Sequence, residues 1–323
     1  MTIDAGMIAA ARAAIARYLD RTPVVRVEAA GALGRSIYLK NETVLPTGSF
    51  KVRGAIHALK AACSHGAVTE AVAASTGNHG AAVAYAGKLL GVPARIFLPE
   101  QSNPVKAGRI RELGAVLVET GRDLTDAIDA AEEYATSAGA FFLHDASSPE
   151  VPAGAATIGA EILEDVPDVE EVYVPMGDTA LIRGVASALR LSSRHIRIVG
   201  VVAEAAPAYY LSWKSGQVKE TATADTIADG LAVRRPLAPN VAAIRELVDH
   251  VITVSERQML EAIAWMRAAT GILAEPSGAA SVAAVIAGGA ARPDTASGRA
   301  APVTVALVTG GNISPEVERQ LAI

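Results

Sequence analysis

Short apolar runs with β character alternate with longer helical segments along nearly the whole chain, and no other feature restricts the fold as strongly. Runs at 36–40, 71–75, 94–98, 115–119, 172–174, 198–203 and 304–308 have the length of strands. Segments 80–90, 105–113 and 125–138, free of proline, have the length of helices. Repeated strand–helix alternation buries its apolar faces in parallel sheets covered by helices on both sides. Ligands of such sheets bind beyond the carboxyl ends of the strands, and polar, glycine-containing motifs stand there in this chain. A length of 323 residues suits two domains at the usual ~150 residues each. No linker separates them, so an α/β protein of two interwoven domains is predicted.

Composition narrows the function. The chain is 51% hydrophobic but only 4% aromatic, so Ala, Val, Leu and Ile carry the packing. A net charge of −5 argues against nucleic acid or an anionic membrane as the main partner. Cys63 is the only cysteine, which excludes an intrachain disulfide, and it is expected to be a buried thiol. The first twenty residues lack a basic region followed by an apolar run; Ile8, Ala11, Ile15 and Leu19 follow helical spacing instead. The apolar segment 279–291 is too short for a membrane span. A soluble, cytoplasmic protein is expected. The low-complexity stretch 288–302 is expected to be an exposed loop before the last strand.

Four motifs carry chemistry. Pro46-Thr47-Gly48-Ser49-Phe50-Lys51-Val52-Arg53-Gly54 is a turn entering a helix. Taken alone, Lys51 there is a solvated lysine, although a cation in the first helical turn opposes the helix dipole. Ser75-Thr76-Gly77-Asn78-His79-Gly80 follows a strand, and its hydroxyls and free N–H groups suit a carboxylate or simply cap a helix. Pro175-Met176-Gly177-Asp178-Thr179-Ala180 is either a phosphate-holding turn or one capped by Asp178. Thr309-Gly310-Gly311-Asn312 ends the last strand and by itself is only a turn.

Together, in this order and spacing, the four motifs resemble the fold type II pyridoxal-phosphate enzymes, the tryptophan synthase β family, and within it the threonine/serine dehydratases and serine racemases. Further signatures are Arg21-Thr22-Pro23, Leu98-Pro99 with Pro104 and Lys106, 110–115, 226–231 and Glu275-Pro276-Ser277-Gly278-Ala279, so that the likeness covers about 20–314. The resemblance implies two three-layer domains with mostly parallel twisted sheets: a large cofactor-binding domain from 1–69 plus 148–323, and a small substrate-binding domain from 70–147. It implies a homodimer, a small amino-acid substrate and pyridoxal 5'-phosphate. Lys51 matches the lysine that binds the cofactor and Phe50 lies against its ring. Asn78 would meet the phenolic oxygen. Ser75, Thr76, Gly77, Asn78 and His79 would form the substrate site, with Thr76 opposite Lys51. Gly177, Asp178, Thr179, Ala180 and Leu181 would hold the phosphate, Thr309 would face the ring nitrogen, and Glu275 would lie near the ring edge.

The activity implied is loss of water and ammonia from an L-threonine- or L-serine-type β-hydroxy amino acid. Alternatives of the same fold are a serine or aspartate racemase, a hydroxyaspartate or phenylserine dehydratase, and a β-replacing synthase; a cofactor-binding protein without activity is a further one. Lys51 acts as base only when neutral, so a cationic, desolvated neighbourhood that lowers its pKa is expected. The phosphate loop departs from the family's run of glycines, and Asp178 is expected to turn away and cap the following helix. Where racemases and dehydratases often bind a divalent cation, this chain has Glu204, the Ala208 carbonyl and Tyr210 in place of an acid, so no metal is expected. With the last motif at 309–312, a C-terminal regulatory domain is not expected.

Overall fold

The computed structural model describes residues 3–27, 36–75, 77–100, 104–122, 124–288 and 301–321, without the side chains of 104–106. The expected loop at 288–302 falls largely outside these residues.

Two sheets organise the chain. The first contains, in order, β1 (Val24–Arg26), β2 (Ile37–Asn41), β10 (Thr304–Val308), β7 (Glu171–Pro175), β8 (Arg197–Ala203) and β9 (His250–Val254). The second contains β5 (Val116–Glu119), β4 (Ala94–Leu98), β3 (Ala71–Ala74) and β6 (Phe141–Phe142). Every pairing is parallel except that of β1 with β2. The second sheet is built wholly from chain between β2 and β7, so the first cannot close until the second has been traversed. β7 and β10 are buried along their whole length, as strands covered on both faces must be.

The helices include α1 (Ala5–Ile15), α2 (Lys51–His65), α3 (Asn78–Leu90), α4 (Pro104–Glu112), α5 (Leu124–Ala138), α6 (Glu150–Asp165), α7 (Ala180–Arg190), α8 (Ala208–Ser215), α9 (Ala238–Leu247), α10 (Glu256–Thr270), α11 (Pro276–Ile286) and α12 (Pro315–Gln320). Small side chains let them pack closely. A Cβ at Gly184 of α7 would lie 2.7 Å from the Ala156 nitrogen of α6, so glycine is required for this contact. Among the described residues no helix is long and apolar enough to cross a membrane.

The expected strands appear within a residue or so of their predicted bounds, and three others were not anticipated. β1 and β6 are too short to show periodicity. The apolar run of β9 is preceded by Asp249 and His250, which hide its start. Cys63 is a correction: it continues the stripe of Val52, Ala55, Ile56 and Leu59, but burial stops before the end of α2, where 63–65 are all exposed.

α2 is anchored by buried charge. Arg53, 1% exposed, donates to both carboxylate oxygens of Glu42 at 2.8 and 3.0 Å and to those of Glu161 at 2.6 and 3.0 Å. The Lys40 ammonium lies 2.7 Å from Glu161. This network ties the start of α2, and hence Lys51, to β2 and α6.

Candidate active site

Four segments distant in sequence meet at the carboxyl ends of parallel strands. β2 leads through 42–50 to Lys51, β3 through Ser75 to α3, β7 through 176–179 to α7, and β10 to Thr309. Backbone bonds join the first and last of these: Phe50 N–H donates to Thr309 O at 3.0 Å, and Gly311 N–H to Gly48 O at 2.9 Å. Gly48 sits at φ 68°, which a glycine adopts without strain.

They surround a cavity of about 620 Å³ whose wall includes Lys51, Asn78, His79, Asp145, Asp178 and Glu275. That size lies within the ~300–1,000 Å³ usual for cofactor and small-molecule sites. Ser75 and Gly77 also face it, whereas Phe50, Gly177, Thr179, Ala180, Leu181 and Thr309 stand behind its surface. Thr76 lies outside the described residues. Thr309 is 4% exposed and its carbonyl holds the Phe50 turn.

The surroundings of Lys51 are anionic, contrary to expectation. Its ammonium contacts Asp145 directly, lies 3.5 Å from Asp178, and sits 5.3 Å from the centre of the Phe50 ring. Desolvation works to lower its pKa, but the two carboxylates outweigh it and hold the amine above its ordinary value. Asp145 also faces His79 Nδ1 at 3.5 Å. His79 Nε2 is 2.9 Å from the Leu143 carbonyl, a bond that places a proton on Nε2. Burial pushes the His79 imidazole below its usual pKa despite Asp145.

The two carboxyl groups differ. Burial raises the Asp145 pKa, but Lys51 and His79 reverse this and hold it well below the usual range. Asp178 is pushed up to about 7, first by desolvation and then by Asp145, against the opposing pull of Lys51. Its side chain is divided: Oδ1 accepts from Ala180 N–H at 3.2 Å, the expected cap, while Oδ2 faces Lys51 rather than turning away.

The 177–181 turn suits an anion. Thr179, at φ 76°, is the sole non-glycine residue at positive φ among those described. A left-handed residue immediately before a helix is the backbone form from which anion-holding nests are built. A Cβ at Gly177 would collide with the Gly230 carbonyl, so this turn packs directly on 226–231. The Thr179 hydroxyl is engaged by Arg183 Nε at 3.2 Å. Arg183 supplies a half-buried cation beside the nest, and protonation of Asp178 removes the clash a carboxylate would have with a phosphate. The nest, the lysine and the cavity between them therefore fit a phosphorylated carbonyl cofactor.

A polar chain closes one side. Asn78 Nδ2 donates to Glu275 at 2.6 Å, Asn312 Nδ2 donates to Asn78 Oδ1 at 2.6 Å, and Arg109 donates to Asn312 Oδ1. Sequence reasoning missed Asp145, Arg109 and Arg183. Arg183 stands one turn beyond a motif already recognised and could have been found from its position, whereas Asp145 lies in no motif and nothing local marks it.

A lysine amine facing one cavity with the 75–79 turn and Asp178, at the strand ends of a parallel α/β protein, is an arrangement that suits a class of enzymes whose cofactor carries a carbonyl. The chain belongs to the family described as pyridoxal-phosphate dependent enzyme, which matches residues 15–310, and its cofactor is pyridoxal 5'-phosphate. It is 38% identical over 281 residues to the L-threonine ammonia-lyase of Geobacter sulfurreducens, covering 87% of this chain and 68% of that protein. Its structure is similar to the T.th. threonine deaminase, with a TM-score of 0.86 and 32% identity over 96% of this chain and 98% of that one. It is also similar to maize serine racemase, with a TM-score of 0.89 and 29% identity over 99% and 97% of the two chains.

Proposed function

We propose that this chain is an ammonia-lyase that converts a small β-hydroxy amino acid of the L-threonine or L-serine type to a 2-oxo acid and ammonia. The observation that carries this is the similarity to an L-threonine ammonia-lyase over 87% of the chain, with Lys51 facing the cavity beside the 75–79 turn. Pyridoxal phosphate, when bound, supplies a sink for the electrons left at Cα as its proton departs. The residues of the chain do the rest. Backbone N–H groups of Gly177, Asp178, Thr179, Ala180 and Leu181 hold the phosphate, and Asn78, fixed by Glu275 and Asn312, presents its amide to the phenolic oxygen. Ser75, Thr76, Gly77 and His79 bind the substrate carboxylate. Lys51 removes the Cα proton in its neutral form, the minor form given the carboxylates that hold its amine protonated. Thr309 offers the ring nitrogen a hydroxyl rather than a carboxylate, which favours prompt loss of a β-substituent over transamination.

The same proposal includes the division into 1–69 plus 148–323 and 70–147, a homodimer and a cytoplasmic location. The test is release of 2-oxo acid and ammonia from L-threonine and L-serine by protein loaded with pyridoxal phosphate. Borohydride should remove its visible absorption band and leave the label on Lys51. Absence of turnover with every β-hydroxy amino acid tried, or a label on another lysine, would refute the proposal.

A second reading, racemisation, is favoured by the similarity to maize serine racemase. By the family resemblance Thr76 would offer the hydroxyl opposite Lys51, but a β-branched side chain is poorly free to serve as both ligand and acid. Elimination should therefore exceed racemisation at least about tenfold, or ~1.4 kcal/mol in barrier. Formation of D-serine as fast as pyruvate from L-serine would make the protein a racemase.

A further inference from the structure

We propose that the Asp145–Asp178 carboxyl pair holds the proton that departs with the β-hydroxyl: Asp178 is the acid of the elimination, and the charge of Asp145 beside it keeps the proton there. The inference rests on the ammonia-lyase reading and adds to it the residues that solve its hardest step. Hydroxide is a poor leaving group, so the Cβ–O bond needs a proton donor close to the base that acts on Cα. Both carboxyl groups meet that requirement. Asp145 contacts the Lys51 amine, Asp178 lies 3.5 Å from it, and both line the cavity.

Geometry also separates their roles. Asp145 touches Lys51 and faces His79, two groups that stabilise its charge. Asp178 is farther from the amine, and the charge of the nearby Asp145 pushes its pKa up. Adjacent buried carboxyls cannot both ionise at low cost, so one proton is kept, and it resides on Asp178, whose pKa stands at about 7. The ionisable groups facing the pair are Lys51 from α2, His79 from α3, His144 beside Asp145, Arg183 from α7 and Tyr209 from α8.

The step balances within the chain and its substrate. The Lys51 Nζ lone pair takes the Cα proton, and the Cα–H electrons become the second bond between Cα and Cβ. The Cβ–O bond breaks with its electron pair on oxygen, and the Asp178 O–H proton joins that oxygen to form water. The Lys51 ammonium loses its new proton to solvent and the Asp178 carboxylate regains one from it, so both groups are restored.

The test separates a proton donor from a structural residue by changing the leaving group. In Asp178→Asn, and in Asp178→Gly, which suits the turn, kcat with L-threonine or L-serine should fall at least about 100-fold, as loss of a general acid does. With β-chloro-L-alanine, whose chloride leaves without a proton, it should fall less than about threefold, and the cofactor's visible band should remain. Equal losses on both kinds of substrate, or no loss on either, would overturn the proposal.

A second readout uses cofactor-free protein. Native Asp178, with its carboxyl at about 7 against an ordinary 3.8, binds more protons than the unfolded chain between those values. Stability from this group is therefore lost as pH rises from about 4 to 7, and Asp178→Asn lacks that slope. Parallel melting-temperature curves for wild type and variant would show that Asp178 holds no such proton. Wild type inactive on β-hydroxy amino acids would instead defeat the ammonia-lyase reading, with the pH slope still deciding whether the pair holds its proton.

Discussion

Replacing Arg53 by methionine removes the cation at the centre of the buried network behind α2. Arg53 is 1% exposed and Glu42 0%, so neither charge is screened by water. Breaking a buried ion pair from one side costs about 3–5 kcal/mol, because the remaining charge is left uncompensated. The two carboxylates do not suffer equally. Glu161 keeps Lys40 at 2.7 Å, whereas Glu42 is left with the Thr22 hydroxyl at 2.5 Å. The expected loss is therefore about 4 kcal/mol, most of it at Glu42. Adding Glu42→Gln to Arg53→Met removes the stranded charge and should recover at least ~2 kcal/mol, a coupling of the kind contacting residues show. Urea denaturation of the cofactor-free protein at neutral pH, followed through Trp213 and Trp265, measures both at unchanged slope. A loss below about 1 kcal/mol for Arg53→Met, or a double variant no more stable than the single one, would refute the argument.

Gly177→Ala drives a Cβ into the Gly230 carbonyl and should destabilise by about 1–3 kcal/mol while weakening cofactor binding, which spectroscopic titration would show. Unchanged affinity would mean that the turn does not hold the phosphate. Alkylation should modify exposed Cys63 fully in the native enzyme without loss of activity, measured by mass and rate together. Chelator treatment should leave both rate and melting temperature unchanged, given Tyr210 where related enzymes place an acid; a loss restored by magnesium or calcium would reveal other ligands.

Much of the molecule was legible before its structure. The 304–308 strand appeared at its predicted bounds because a buried parallel strand is a continuous apolar run, visible without its neighbours. Lys51, Asn78 and the 177–181 turn drew attention because glycine, hydroxyl and lysine at a strand–helix junction form local patterns, and Lys51, Asn78 and Asp178 line one cavity. The misreadings had tertiary causes. Cys63 was expected to be buried from the habits of its residue type, but how far along α2 burial extends follows from what packs on it. The neighbourhood of Lys51 was expected to be cationic because the chemistry of a neutral amine calls for it; the structure sets two carboxylates there instead.

By itself, then, the sequence determined the α/β alternation, the strand-end location of the motifs and the family, since each is written in contiguous residues. Only the tertiary structure decided the charge state of the site. Asp145 stands 94 residues from Lys51 along the chain, and only the fold brings the turn after β6 to the start of α2. A pKa depends on distance and burial, quantities that a linear chain does not possess until it is folded.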